Sequence, residues 1–150
     1  MITYAIDDEP VVTLVNHGMS ETTMLETFFA ALKPIDTLIT FDGARFDIPA
    51  IRHRALNRKV RFPHILRPQK PWDPGQFDLR YYLTGGDKQI KGRLIDYCHL
   101  AGVPGPIPHD GANTAKLINN NSYDLPIQEC ESDVEALRNL YYAVAETGWI

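Results

Sequence analysis

Apolar residues along this chain first cluster in short β-rich runs and then recur at helical spacing. Ile2-Thr3-Tyr4-Ala5-Ile6 and Val11-Val12-Thr13-Leu14-Val15 flank the polar Asp7-Asp8-Glu9-Pro10, which predicts two strands joined as a hairpin. Ser20 then stands where a helix cap is expected, with Glu21 in the positively polarised first turn and Met19 and Met24 at the staple positions. Met24, Leu25, Phe28, Phe29 and Leu32 share one helical face, and Pro34 ends that helix. A third strand is expected over Thr37–Phe41, followed by a helix through Ile48, Ile51 and Ala55. Helices are expected again over Gln76–Leu83 and over Gly92–Ala101, the second stopped by Gly102 and Pro104. Asp110 suits the cap of a short helix through Ile118. Pro126 suits the first turn of a final helix with an apolar stripe of Val134, Leu137, Tyr141 and Val144. The order strand, strand, helix, strand and then helices predicts an α/β domain with a mixed sheet.

Composition narrows the class. A chain of 150 residues with 44% apolar and 23% charged positions has the make-up of one soluble globular domain, able to bury roughly two-thirds of its unfolded surface. No apolar run is long enough to span a bilayer, and MITYAIDDEP is unlike a signal peptide. Cys98 and Cys130 make neither a metal-ligand spacing nor a disulfide framework, so a cytoplasmic protein without a membrane partner is expected. A net charge of −4 argues against coating nucleic acid by bulk charge.

The charge is uneven, however. Residues 52–70 hold seven of the fifteen Lys and Arg, two histidines and no acid. Such a segment suits a phosphate backbone, with Arg52 and Arg54 as candidate contacts. It equally suits a solvated helix end whose charge is balanced elsewhere in the fold. The acids are also grouped. Asp42, Arg45 and Asp47 follow the third strand within six residues, and Glu129, Glu131 and Asp133 fall at the start of the last helix. Glu129 and Asp133 lie four apart on one face, where a cation would relieve their repulsion. The ordinary reading is an acidic first turn favoured by the helix dipole, and for Asp47 an N-cap of a helix beginning near Pro49.

The order of these blocks resembles a known family. "LITFDGARFDIPAI" is similar to the second motif of the DEDD 3′–5′ exonucleases, a strand leading to Asn-Gly-x-x-Phe-Asp, with Asp42 here in place of the asparagine. "ECESDVEALRNLYY" resembles their third motif. "FDLRYYL" and "RLIDYCHLAGVPGPIPHDGANTAKLI" resemble the connecting region of a subgroup of predicted exonucleases related to the proofreading domain of family B DNA polymerases. The resemblance runs from about Ser20 to Ala145. It implies a ribonuclease H-like fold and hydrolysis of phosphodiester bonds in single-stranded DNA or RNA. It also implies two divalent ions, Mg²⁺ or Mn²⁺, held by four carboxylates. Oxygen ligands suit hard cations, one ion generating hydroxide and the other stabilising the leaving oxygen. Position by position, Asp47 matches the second-motif metal ligand and Asp133 the third, while Asp42 and Arg45 fall on the substrate side. The tyrosine or histidine that orients water, four or five residues before the third-motif aspartate, is replaced by Glu129 and Gln128.

The first motif, Asp-x-Glu on a central strand, is matched only by Asp7-Asp8-Glu9. Two readings compete. In one, Ile2–Ile6 and Val11–Val15 are the second and third strands, and the first strand with its carboxylates is absent. In the other, Ile2–Ile6 is the central strand, Asp7 and Glu9 are provisional catalytic ligands, and an edge strand is lost. Spacing favours the first. Stability favours the second, because losing a central strand exposes two rows of backbone donors and acceptors. The spacing argument weighs more. On it the chain is a truncated or split exonuclease domain that takes a strand from a partner chain, or a degenerate nuclease fold kept for binding.

Overall fold

The computed structural model describes residues 1–67 and 75–150 of this mixed α/β chain. Residues 68–70, the end of the basic segment, lie outside the described residues. The chain divides into two compact units, one of Met1–Ile2 with Leu14–Lys91 and the other of Thr3–Thr13 with Gly92–Ile150. Among the described residues no helix is long and apolar enough to cross a membrane.

The first unit contains α1 (Glu21–Ala31), β3 (Leu38–Thr40), α2 (Asp47–Arg58), a 3₁₀ turn (His64–Leu66), β4 (Gln76–Asp78) and α3 (Leu79–Thr84). Ser20 caps α1 as expected, its hydroxyl accepting from the Thr23 backbone N–H at 3.0 Å. Met24, Leu25, Phe28, Phe29 and Leu32 are buried, and α1 packs against α2. Phe29 also meets Phe62 edge-on at 5.7 Å, a favoured quadrupolar arrangement.

Two expectations fail in this unit. Gln76–Leu83 is not a single helix. Gln76–Asp78 runs as β4, parallel to β3 with Leu38 opposite Gln76 and Thr40 opposite Asp78, and the helix begins only at Leu79. Pairing to a distant strand outweighs a weak local helical preference. Buried Gln76 adds to this by donating its side-chain amide to the carbonyls of Ile65 and Arg67. Nor is Asp47 an N-cap. It is the first residue of α2, after Phe46, whose side chain makes no capping bond.

The second unit holds most of β1 (Ile2–Tyr4) and β2 (Val12–Leu14), which pair with each other as expected. It also contains α4 (Leu94–Ala101), α5 (Gly111–Asn119) and α6 (Asp124–Glu146). Gly102 ends α4 with φ +70°, and Asp110 caps α5 by accepting from the Ala112 N–H at 3.0 Å. Both α4 and α5 pack on α6. The buried line of α6 is Ala136, Leu140 and Val144. Val134, Leu137 and Tyr141 flank it half-buried, so the stripe is rotated from the expected one. Among the described residues the strands form two separate two-stranded sheets, β1–β2 and β3–β4.

Candidate functional site

Where β3 ends, the chain turns through Asp42 with φ +61°. This left-handed conformation suits asparagine and aspartate best among residues with side chains, so aspartate makes the turn at a lower cost than most other side chains would. Gly43 is obligatory by close approach, since a Cβ there would stand 2.5 Å from the Thr40 Cβ. The turn is locked from below by Asp78, a residue to which the sequence reading gave no role. Its buried carboxylate accepts from the backbone N–H groups of Asp42 (2.9 Å), Ala44 (3.2 Å) and Tyr81 (3.2 Å). One side chain therefore fixes the second-motif turn and caps α3.

This scaffold delivers Asp47 to the first turn of α2 with an exposed side. Partial desolvation by surrounding protein raises the Asp47 carboxyl above the usual aspartate range, and the charges of Asp78 and Asp42 raise it further. A cation placed there would relieve that repulsion. Asp42 is paired with Arg80 at 3.3 Å and with Arg45 at 3.6 Å. The Arg45 side chain remains 61% exposed. Beside it Phe46 is 74% exposed, an apolar ring in water at the mouth of the turn. The sequence signal for it was the Phe-Asp pair itself.

The basic segment is not uniformly free. Arg54 and Arg58 both donate to Glu21 at the start of α1, whereas Arg52 is half-buried and Lys59 and Arg61 are exposed. The bond from Arg54, with Arg58 adding to it, holds the Glu21 carboxyl at about 2 against a smaller opposing effect of burial. A folded-state value below the ordinary 4.5 contributes stability that is complete above pH 4.5 and lost as pH falls toward 2. Denaturant midpoints of the wild type and Glu21→Gln are therefore expected to differ by a constant amount above pH 5. They should converge between pH 4.5 and 2. A gap that persists at pH 2 would assign the difference to packing instead of charge.

In the second unit, α6 presents its acids differently from one another. Glu129 is buried and accepts from the Thr114 hydroxyl at 2.7 Å, a bond that ties α5 to α6. Glu131 accepts from Thr13 at 2.9 Å, and Thr13 in turn lies 3.3 Å from Thr3 across the β1–β2 pair. Asp133 keeps 40% of its side chain exposed, with His109 Nε2 at 3.8 Å from Oδ2. Asp7 and Glu9 occupy the turn between β1 and β2, Asp7 with φ +45°. That turn is held to α6 by Arg138 donating to the Glu9 carbonyl at 2.7 Å and by the Tyr142 hydroxyl on Asp8 at 3.0 Å.

The donor chemistry fits hydrated divalent cations at Asp47 and Asp133, each an accessible carboxylate. Asp78, Glu129 and Glu131 are engaged in holding the fold. Among the described residues no three metal-ligating side chains are gathered into one group. A family model described as a predicted 3′–5′ exonuclease related to the exonuclease domain of PolB matches residues 5–144. No curated protein matches the chain.

Proposed function

The chain belongs to the family of predicted 3′–5′ exonucleases related to the exonuclease domain of PolB, and we propose that it serves to hydrolyse phosphodiester bonds at the 3′ end of single-stranded nucleic acid. The observation that carries this is the left-handed Asp42–Gly43 turn, locked onto Asp78, that sets Asp47 at the head of α2. At this helix start Asp47 is reached from solvent, and a carboxyl perturbed by desolvation and by neighbouring acids is the kind of group that functional sites gather. Asp47 and Asp133 are the residues that would hold Mg²⁺ or Mn²⁺. When bound, such ions supply an activated water and stabilise the leaving oxygen. The chain's own residues bind and orient the strand: Arg45 neutralises phosphate and Phe46 offers a face on which a terminal base can stack.

The reading in which another segment supplies a strand draws on each two-stranded sheet taken by itself. A two-stranded sheet is marginal by itself. β3, with the sequence Leu-Ile-Thr, also carries none of the charges or prolines that usually guard an edge. A second reading, a non-catalytic nucleic-acid-binding module on the same fold, draws on the lack of a three-ligand group among the described residues. Metal-dependent shortening of a 5′-labelled single strand, one nucleotide at a time from the 3′ end, by the chain together with an added strand that carries Asp-x-Glu separates the two.

Binding alone tests the substrate surface. Phe46→Ala is expected to weaken single-strand affinity by about 1–3 kcal/mol with the salt slope unchanged. Neutralising Arg45, Arg52 and Arg61 together is expected to flatten the slope of log K against log salt by roughly 0.7 per lost contact. Neutralising Arg54 or Arg58, already paired with Glu21, should flatten it less. An identical slope after all three substitutions would leave these arginines solvated charges that do not touch phosphate.

A further inference from the structure

The loop before α5 carries a histidine with a defined orientation. Its backbone is clamped on one side where the Ile107 N–H donates to Ser132 Oγ at 2.8 Å, Ser132 being the immediate neighbour of Asp133. On the other side Asp110 is fixed as the cap of α5. Between these two anchors, His109 Nδ1 lies 3.1 Å from the Ile107 carbonyl oxygen. A carbonyl only accepts, so Nδ1 must carry the hydrogen, and in the neutral ring Nε2 then presents its lone pair. That lone pair stands 3.8 Å from Asp133 Oδ2.

Two acceptors cannot bond to each other, and 3.8 Å is too long for a hydrogen bond. The separation suits something shared between them. Ligand bonds of about 2.0–2.2 Å at right angles on one octahedral ion place a nitrogen and an oxygen roughly 3 Å apart, so the two groups need close by less than about 1 Å to share one. An Nδ1–H bonded to a main-chain carbonyl is also the arrangement that pre-sets a histidine to ligate through Nε2.

We propose that His109 Nε2 is a ligand, with Asp133, of a divalent ion held part-way along α6, more than two turns from its start, and that it shifts this seat from Mg²⁺ toward Mn²⁺. The inference rests on the reading of Asp133 as a metal ligand. An imidazole nitrogen favours a transition ion over Mg²⁺, which takes oxygen ligands and dehydrates reluctantly. The residue that completes this seat therefore comes from a separate loop, brought to α6 by Ser132, and lies outside the third-motif helix.

The test is titration of the full chain with Mn²⁺, read from the electron paramagnetic resonance of the free ion, and with competing Mg²⁺. His109→Ala and His109→Gln are each expected to weaken Mn²⁺ about tenfold or more, with Mg²⁺ changed less than about threefold. Asp133→Ala should lose both ions at this seat. Broadening of the His109 ring signals by substoichiometric Mn²⁺ in the wild type gives an independent readout. Mn²⁺ binding that depends on Asp133 but not on His109 overturns the inference and leaves Asp133 a ligand. Equal losses of Mn²⁺ and Mg²⁺ in both His109 variants make His109 a support of the loop and also overturn it. Binding indifferent to Asp133→Ala would remove the metal reading of Asp133 itself.

Discussion

Purified alone, the 150-residue chain is expected to bind Mg²⁺ and Mn²⁺ only at about millimolar strength and to release no more nucleotide from a single strand than a metal-free control. The reason is a count of ligands. Each hard cation needs about six oxygens in a defined arrangement, and on the proposed reading only Asp47 and Asp133 contribute carboxylates. Water would supply nearly all the remaining positions, and loosely held ions neither lower the pKa of a bound water nor orient it. Fusing an apolar strand that carries Asp-x-Glu ahead of Met1 is expected to restore metal-dependent 3′–5′ release, and Asp47→Ala and Asp133→Ala should each abolish it. Robust degradation by the unmodified chain, lost in Asp7→Ala and Glu9→Ala as well as in Asp47→Ala and Asp133→Ala, would give a different result. It would make Ile2–Ile6 the central strand while leaving the family assignment intact.

Asp78→Ala should be among the most destabilising single substitutions in the first unit. The Asp78 carboxylate is 4% exposed and accepts from three backbone N–H groups. Its removal leaves those donors without partners in a dry environment, at a cost of about 3–5 kcal/mol in total. Asp78→Asn retains one acceptor oxygen but turns an amide N–H toward backbone donors, so a smaller loss of about 1–3 kcal/mol is expected. Urea denaturation reads both. The loss should also free the Asp42–Gly43 turn, so residual Mn²⁺ binding that depends on Asp47 should fall in parallel. A cost below about 1 kcal/mol for Asp78→Ala would mean that water reaches the three N–H groups.

What could be read from the sequence was whatever is decided within a turn of chain. Ser20 and Asp110 cap their helices, Gly102 ends α4, and Asp42 turns the chain out of β3, because each acts on backbone groups two to four residues away. The family was legible for a related reason, since its motifs are contiguous segments. Features that depend on partners far along the chain were not legible. β4 is a strand because Leu38–Thr40 pairs with it, and Asp78 is a buried clamp because the turn 36 residues earlier needs its oxygens. Glu129, one of a pair that suggested a cation seat, is instead buried against Thr114. His109 gained a direction from Ile107 and a place beside Asp133 from Ser132. The sequence by itself determined the caps, the turns and the exonuclease motifs. Tertiary structure decided which acids hold the fold and which face solvent, because a carboxylate's burial and partners are properties of chain segments that meet only after folding.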